Sequence, residues 1–82
     1  MPKRKLPKEH CYFGENLKRL RLNANLTQTY VAEQIGVQRT TYTKWERGDT
    51  EPSFSCISKL IELFNEVGNE KVDYNKMFSK PN

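Results

Sequence analysis

The sequence predicts an all-α fold of five short helices, with a helix-turn-helix at residues 27–47. Apolar residues recur at intervals of three and four along several segments. This is the spacing of one face of an α-helix, and no segment shows the alternation of a β-strand. Residues that begin or end helices stand between these segments: capping Thr and Asp at their starts, and Gly, Asn and Pro around their ends.

The first helix is predicted to run from about Phe13 to Ala24. The residues of its apolar stripe are Phe13, Leu17, Leu20 and Ala24. Asn23 and Asn25 favour an end here, because Asn tolerates the left-handed backbone conformation. Leu22 lies off the stripe, so we expect it to be partly exposed.

The second and third helices are predicted over residues 28–35 and about 39–47. Thr27 is a suitable N-cap, because its hydroxyl can accept a hydrogen bond from an unpaired N–H of the first turn. Gly36 ends the second helix, since glycine takes a positive φ without steric cost. Ala32 supplies the small residue that two helices crossing steeply need where their backbones approach.

A stop at Gly48 and a polar turn precede a fourth helix, predicted over about 53–64. The residues with helical spacing in it are Phe54, Ile57, Leu60, Ile61 and Phe64. A polar stretch over 65–71 follows, and a short fifth helix is predicted over 73–79, capped by Asp73. Its apolar residues are Tyr74, Met77 and Phe78.

Basic residues are concentrated at the start of the chain. The net charge is +4 at pH 7, and residues 1–10 hold four Lys or Arg and one Glu. Because Pro2 and Pro7 interrupt a helix there, we expect residues 1–11 to be a flexible basic arm and 12–82 to be the folded domain. A basic N-terminal segment favours a polyanionic partner such as nucleic acid. The alternative is that these charges only keep the protein soluble. The arm either reaches DNA or has no role.

No constellation of residues in the sequence supports catalysis or metal binding. Cys11, Cys56 and the single histidine, His10, do not supply the four ligands of a zinc site. We therefore expect no metal, no cofactor and no enzymatic activity, and we expect Cys56 to pack in the fourth helix. No apolar run approaches the roughly 20 residues of a membrane span, and neither a signal peptide nor a disulfide framework is indicated. The expectation is a cytoplasmic protein.

The third helix has one face suited to the core and one suited to DNA. Its predicted inward anchors are Val37, Tyr42 and Trp45. The outward residues are Gln38, Arg39, Thr40, Thr43 and Lys44. They are polar and can form hydrogen bonds with the base edges of a major groove.

The segment 26–48 resembles the phage-repressor type of helix-turn-helix, the Cro and lambda-repressor-like group also called the xenobiotic-response-element family. The matching features are Leu-Thr-Gln at 26–28, Val-Ala at 31–32, Ile-Gly-Val at 35–37, Trp-Glu-Arg-Gly at 45–48 and Pro-Ser at 52–53. The resemblance covers roughly residues 13–65. It implies a five-helix, lambda-repressor-like DNA-binding domain.

The resemblance also implies roles for individual residues. DNA base contacts are implied for Gln38, Arg39, Thr40, Thr43 and Lys44. Phosphate contacts are implied for Gln28, at a helix N-terminus that attracts anions, and for Arg47. Arg21 and Glu46 match a buried ion pair that joins the first helix to the third. Two solvated charges of little energetic worth are the alternative.

The function expected from these features is that of a transcriptional regulator. It would bind a (pseudo)palindromic operator in double-stranded DNA as a homodimer, with two recognition helices about 34 Å apart in successive major grooves. The alternative is an antitoxin or other interaction module of the same fold, which binds a toxin or another regulator through its last two helices. Residues 66–71 lengthen the connection to the last helix. The C-terminal apolar residues would then pack either on the first and fourth helices or across a subunit boundary.

Overall fold

The computed structural model describes residues 12–68 and 70–80. Five helices follow one another in these ranges: α1 (Tyr12–Asn23), α2 (Gln28–Ile35), α3 (Arg39–Arg47), α4 (Phe54–Val67) and α5 (Tyr74–Phe78). The prediction of an all-α, five-helix fold is therefore confirmed. The predicted arm over 1–11 lies outside the described residues, and so do His10 and Cys11.

A single hydrophobic core holds the helices together. α1 packs against α3 and α5, while α2 packs against α3 and α4. The largest hydrophobic side chains that are fully buried are Leu17, Val31, Tyr42, Leu60, Phe64 and Met77. Each large apolar side chain that is fully buried contributes about 1.5–3 kcal/mol. The pair formed by α2 and α3 is thus fixed to the rest of the domain by α1, which packs on α3, and by α4, which packs on α2.

The predicted helix ends of the motif are confirmed. The Thr27 hydroxyl accepts a hydrogen bond from the Tyr30 N–H at 3.0 Å and caps α2. Gly36 and Gly48 follow α2 and α3 with φ of 89° and 83°, in the left-handed region that glycine adopts without strain. Asn25 also has a positive φ, 61°, in the turn between α1 and α2.

The predicted range of α1 agrees with the structure to within one residue at each end, and the predicted end of α4 is wrong. Ala24 lies in the turn after α1. α4 continues past the predicted end at Phe64 for almost another turn, to Val67. The polar residue Asn65 does not interrupt the helix, since its side chain pairs with the backbone of Val72 (Nδ2 to O 2.9 Å, N to Oδ1 2.6 Å). The connection to α5 is correspondingly shorter than predicted.

The apolar spacing of α4 does not identify its core face correctly at the first turn. Phe54 continues the apolar stripe in sequence, yet it is 72% exposed because the stripe extends beyond the edge of the core. Leu63, which the sequence prediction leaves out, is buried instead. A periodic pattern predicts which residues share a face, but it does not show where the core beneath that face ends.

α5 packs within the chain, on α1. Met77 is fully buried, and the ring of Phe78 stacks on Phe13 with centroids 5.1 Å apart. The buried amide of Asn16 donates to the carbonyls of Met77 and Ser79, both at 2.7 Å. Met77 and one face of the Phe78 ring therefore pack within the chain.

No helix in the described ranges is long and apolar enough to cross a membrane.

Candidate nucleic-acid interface

The inner side of α3 packs into the core. Tyr42 and Trp45 are buried, as predicted, and their rings meet edge to face with centroids 6.0 Å apart. Val37 packs partly buried against the core, and its N–H donates to the Ala32 carbonyl at 3.0 Å. The three residues between α2 and α3 therefore set the angle of the two helices, while the outer side of α3 is left open.

The outer side of α3 is polar and basic. Gln38, Arg39, Thr40 and Lys44 are exposed, and Thr43 is half-buried. Gln38 is at the N-cap position but makes no capping hydrogen bond with its side chain. Neither Arg39 nor Lys44 forms an ion pair with another residue of the described ranges. The side chains predicted to contact bases thus lie together on one accessible surface.

Two of the predicted contacts already have partners inside the chain. The Thr43 hydroxyl donates to the Arg39 carbonyl at 2.8 Å, so it offers a DNA base its lone pairs and its methyl group. Arg47 is exposed and pairs with Asp49. A phosphate at Arg47 would have to compete with that carboxylate, although an exposed pair of this kind is worth little.

Arg21 and Glu46 form an ion pair that links α1 to α3. Arg21 Nε lies 2.6 Å from Glu46 Oε2, and Nη2 lies 3.2 Å from Oε1. The two side chains are only 10% and 4% exposed. Arg21 Nη1 also donates to the Leu26 carbonyl at 2.9 Å, in the turn before α2. The pair is thus bidentate, nearly dry and connected to three elements.

Gln28 lies next to this pair, at the first position of α2. Its Nε2 donates to Glu46 Oε1 at 3.1 Å. The family resemblance implies a phosphate contact for Gln28 and a buried ion pair for Glu46, and nothing in the sequence indicates that these two side chains meet. The Tyr42 hydroxyl is buried nearby and makes no hydrogen bond of acceptable geometry to any described residue. Burial raises the pKa of Tyr42 well above its ordinary value, so the hydroxyl stays protonated.

The charge of Glu46 is stabilised by its partners. Burial acts to raise the pKa of this carboxyl, but hydrogen bonds from Arg21 and Gln28 outweigh burial and hold the pKa below its ordinary value. The pKa of Arg21 is raised, chiefly by its hydrogen bond to Glu46. Both groups are therefore charged at neutral pH.

Stability should fall in acid because of Glu46. A carboxyl whose pKa is lowered in the folded state stabilises the fold above the ordinary pKa and loses that contribution as pH falls through the folded value. We expect the urea midpoint of the wild-type chain to drop below pH 4.5, the ordinary glutamate pKa, and to drop less steeply in Glu46→Gln. Glu33→Gln is the control, since it removes an exposed carboxylate from α2 that forms no ion pair within the described residues. Equal acid slopes in the wild type and Glu46→Gln would refute the assignment.

Gly14 is a site residue that sequence analysis misses. A Cβ at this position would lie 2.6 Å from the Glu46 carbonyl oxygen and 2.7 Å from that of Trp45. Only glycine therefore lets α1 approach the C-terminal end of α3 this closely. In the sequence, Gly14 is merely a weak helix former inside a helical pattern, and nothing else marks it.

Within the part of the chain that the structure describes, no group of three or more His, Cys, Asp or Glu side chains could hold a metal ion. Cys56 is a free thiol, half-buried against the core.

A short helix, a three-residue turn and a second helix with an open polar face together define a helix-turn-helix domain. A family model described as helix-turn-helix matches residues 17–68, which is more than half of the chain. The chain belongs to this family, the Cro/C1-type helix-turn-helix proteins. Members of the family and the relatives found are transcriptional regulators and not enzymes.

Three curated relatives illustrate the similarity. The HTH-type transcriptional activator BcrR of Enterococcus faecalis is 46% identical over 54 residues, which cover 62% of this chain and 26% of the relative. The uncharacterized HTH-type transcriptional regulator YqaE of Bacillus subtilis is 37% identical over 68 residues, covering 73% of this chain and 59% of the relative. The cryptic phage CTXphi transcriptional repressor RstR of Vibrio cholerae is 33% identical over 52 residues, covering 63% and 47%. The chain thus matches only part of each relative's length.

The fold is also that of a solved structure. The crystal structure of the hypothetical transcription factor NHTF from Neisseria aligns with a TM-score of 0.74 and covers 99% of this chain and 90% of its own. At 23% sequence identity, this similarity concerns the fold alone.

Proposed function

We propose that this chain binds double-stranded DNA sequence-specifically, as a homodimer on a (pseudo)palindromic operator, and thereby regulates transcription. The observation that carries the proposal is the free polar face of α3, in which the exposed Arg39 and Lys44 have no ion-pair partner among the described residues. Base contacts are assigned to Gln38, Arg39, Thr40, Thr43 and Lys44. Phosphate contacts are assigned to Gln28 and Arg47, which lie at the start of α2 and the end of α3.

The family membership supports DNA as the partner, and the charges support it independently. A net charge of +4 favours association with a polyanion and makes the affinity fall with salt. Phosphate contacts would supply much of the affinity, and base contacts would supply the specificity. The buried pair of Arg21 and Glu46 would hold α3 at the angle at which both sets of contacts form.

We assign the contact with the second chain to a surface where the first turn of α4 meets α5. The rings of Phe54, Tyr74 and Phe78 are neighbours, with centroids 5.5 Å and 5.9 Å apart, and we call them the aromatic surface. They are 72%, 37% and 42% exposed. Since aromatic side chains bury about 150–250 Å² each, the exposed parts amount to roughly 300 Å². A standard interface buries about 800 Å² per partner, so the aromatic surface can supply only the centre of a dimer contact.

The dimer should therefore be weak in solution and should form fully only on DNA. We expect the free chain to sediment as a monomer at micromolar concentration, and its complex with an operator selected from random DNA to contain two chains on a symmetric site. Phe54→Ser should reduce the cooperativity of binding, and Val67→Ser, an exposed apolar residue at the other end of α4, should leave it unchanged. One chain per selected site would contradict the dimer and favour a partner protein on the aromatic surface.

Arg39 should contribute to specificity as well as affinity. On the best selected site, Arg39→Ala should cost about 1–3 kcal/mol of binding free energy and relax the preference at one base position. Lys59→Ala removes the same charge from an exposed site on α4 and should weaken binding to all sequences slightly and equally. Equal losses on the selected site and on random DNA in Arg39→Ala would argue against base reading by Arg39.

A further inference from the structure

Glu46 connects two side chains that lie in different environments. Both of its carboxylate oxygens accept from Arg21 in the domain interior, and Oε1 also accepts from Gln28 at the start of α2. We propose that Glu46 is a positioning residue for DNA binding: it fixes the orientation of the Gln28 amide and so couples a phosphate contact to the buried ion pair. This inference rests on the proposed function, because it gives Gln28 a role only in a chain that binds DNA.

The chemistry of the contact allows only one orientation of the amide. An ionised carboxylate accepts hydrogen bonds and donates none. If the Gln28 amide were turned over, its oxygen would face Glu46 Oε1, and two acceptors would meet in a partly buried place without a proton between them. Nε2 therefore faces Glu46 Oε1, at a distance of 3.1 Å.

This orientation leaves Gln28 able to donate a hydrogen bond to an anion. Nε2 carries two hydrogens, of which Glu46 takes one, so the second remains available to a phosphate oxygen. Gln28 Oε1 lies 3.5 Å from the Thr43 hydroxyl, whose proton the Arg39 carbonyl accepts at the shorter distance of 2.8 Å. Without Glu46, the amide could present its oxygen to the DNA, and a phosphate has no proton to donate to it.

The same contact links the helices that must act together. Glu46 is on α3, Gln28 on α2 and Arg21 on α1. A phosphate contact fixes the register of a protein on the duplex, and base contacts then read the sequence at that register. By holding Gln28 from α3, Glu46 ties the phosphate contact to the helix that carries the base contacts.

A double-mutant cycle tests the coupling. The dissociation constant for the selected operator is measured by fluorescence anisotropy for the wild type, Gln28→Ala, Glu46→Gln and the double variant. Gln28→Ala should weaken binding about tenfold in the wild-type background, the expected size of a hydrogen bond to a charged group. In the Glu46→Gln background it should weaken binding less than about twofold. The same factor in both backgrounds would overturn the proposal.

Arg21→Lys separates positioning from the general packing of α3. It perturbs the ion pair but keeps the Glu46 carboxylate, so Gln28→Ala should still cost its full factor there. If that factor also disappears in Arg21→Lys, the alignment of the helices and not the Glu46–Gln28 contact carries the coupling, and the proposal is wrong. Thermal melts by circular dichroism show that each variant is folded at the temperature of the binding measurement.

A second measurement uses the free wild-type chain alone, without DNA and without any variant. In NMR spectra of the free wild-type chain, one side-chain amide proton of Gln28 should be shifted downfield and exchange more slowly with water than its partner. Two protons at solvent-exposed values would overturn the positioning of Gln28. Failure of the wild type to select any DNA sequence would instead contradict the proposed function, and the NMR result would not depend on it.

Discussion

Replacing Glu46 by Ala is expected to lower the free energy of unfolding by about 3–5 kcal/mol, because it leaves the Arg21 guanidinium buried without its counter-charge. Arg21 keeps its hydrogen bond to the Leu26 carbonyl, but a neutral acceptor compensates a buried charge only in part. For a domain of this size each kcal/mol shifts the melting temperature by about 4–8 °C. The melting temperature of Glu46→Ala should therefore fall by at least about 12 °C.

Two control variants show whether the loss comes from the unpaired charge. Glu33→Ala removes an exposed carboxylate from α2 and should change stability by less than about 0.5 kcal/mol. The double variant Arg21→Met with Glu46→Leu replaces the pair by apolar side chains and should recover most of the loss, since it leaves no buried charge. An unchanged denaturation midpoint in Glu46→Ala would refute the energetic role of the pair.

The double variant also separates stability from function. It should fold, yet it has no carboxylate to hold Gln28 and no charged link between α1 and α3. We therefore expect it to bind the operator more weakly than its stability would suggest. A buried ion pair often contributes little net free energy over an apolar pair, so we expect its main contribution in the proposed function to be the geometry of α2 and α3.

The helix-turn-helix could be predicted from sequence because its determinants are local. Thr27 caps α2 through a hydrogen bond within one turn, and Gly36 and Gly48 end helices through their own backbone conformation. Tyr42 and Trp45 have the spacing of an inner helix face. Each of these signals lies within a few residues of the structure that it determines.

Features that depend on distant parts of the chain could not be predicted in this way. Phe54 follows the spacing of a core residue but lies beyond the edge of the core. Asn65 begins a polar stretch that is typical of a loop. Its amide nevertheless pairs with the backbone of Val72, seven residues on, while α4 continues. The family resemblance brought Arg21 and Glu46 together, and neither periodicity nor composition does so.

Gly14→Ala should destabilise the chain although alanine is the better helix former. Within α1 the exchange would gain about 0.5–1 kcal/mol from helix propensity. Against this, the new Cβ would lie within 2.7 Å of two backbone carbonyl oxygens of α3, and a backbone cannot turn aside as a flexible side chain can. Overpacking typically costs about 1–3 kcal/mol and occasionally more. Since both clashing atoms belong to backbone, we take the cost near the upper end of that range and expect a net loss of about 2 kcal/mol in urea denaturation.

Lys18→Ala is the matched control, because it introduces alanine at an exposed position of the same helix and should be nearly neutral. If Gly14→Ala is as stable as the wild type, α1 and α3 can separate without cost and the close approach does not fix α3. The carbonyls that Gly14 approaches belong to Trp45 and to Glu46, whose side chain pairs with Arg21. A shift of α3 that relieves the clash must therefore also move the Glu46 carboxylate relative to Gln28. Gly14→Ala should then weaken operator binding even when the chain is kept folded at low temperature, whereas Lys18→Ala, which removes one exposed charge, should weaken it only slightly on all sequences.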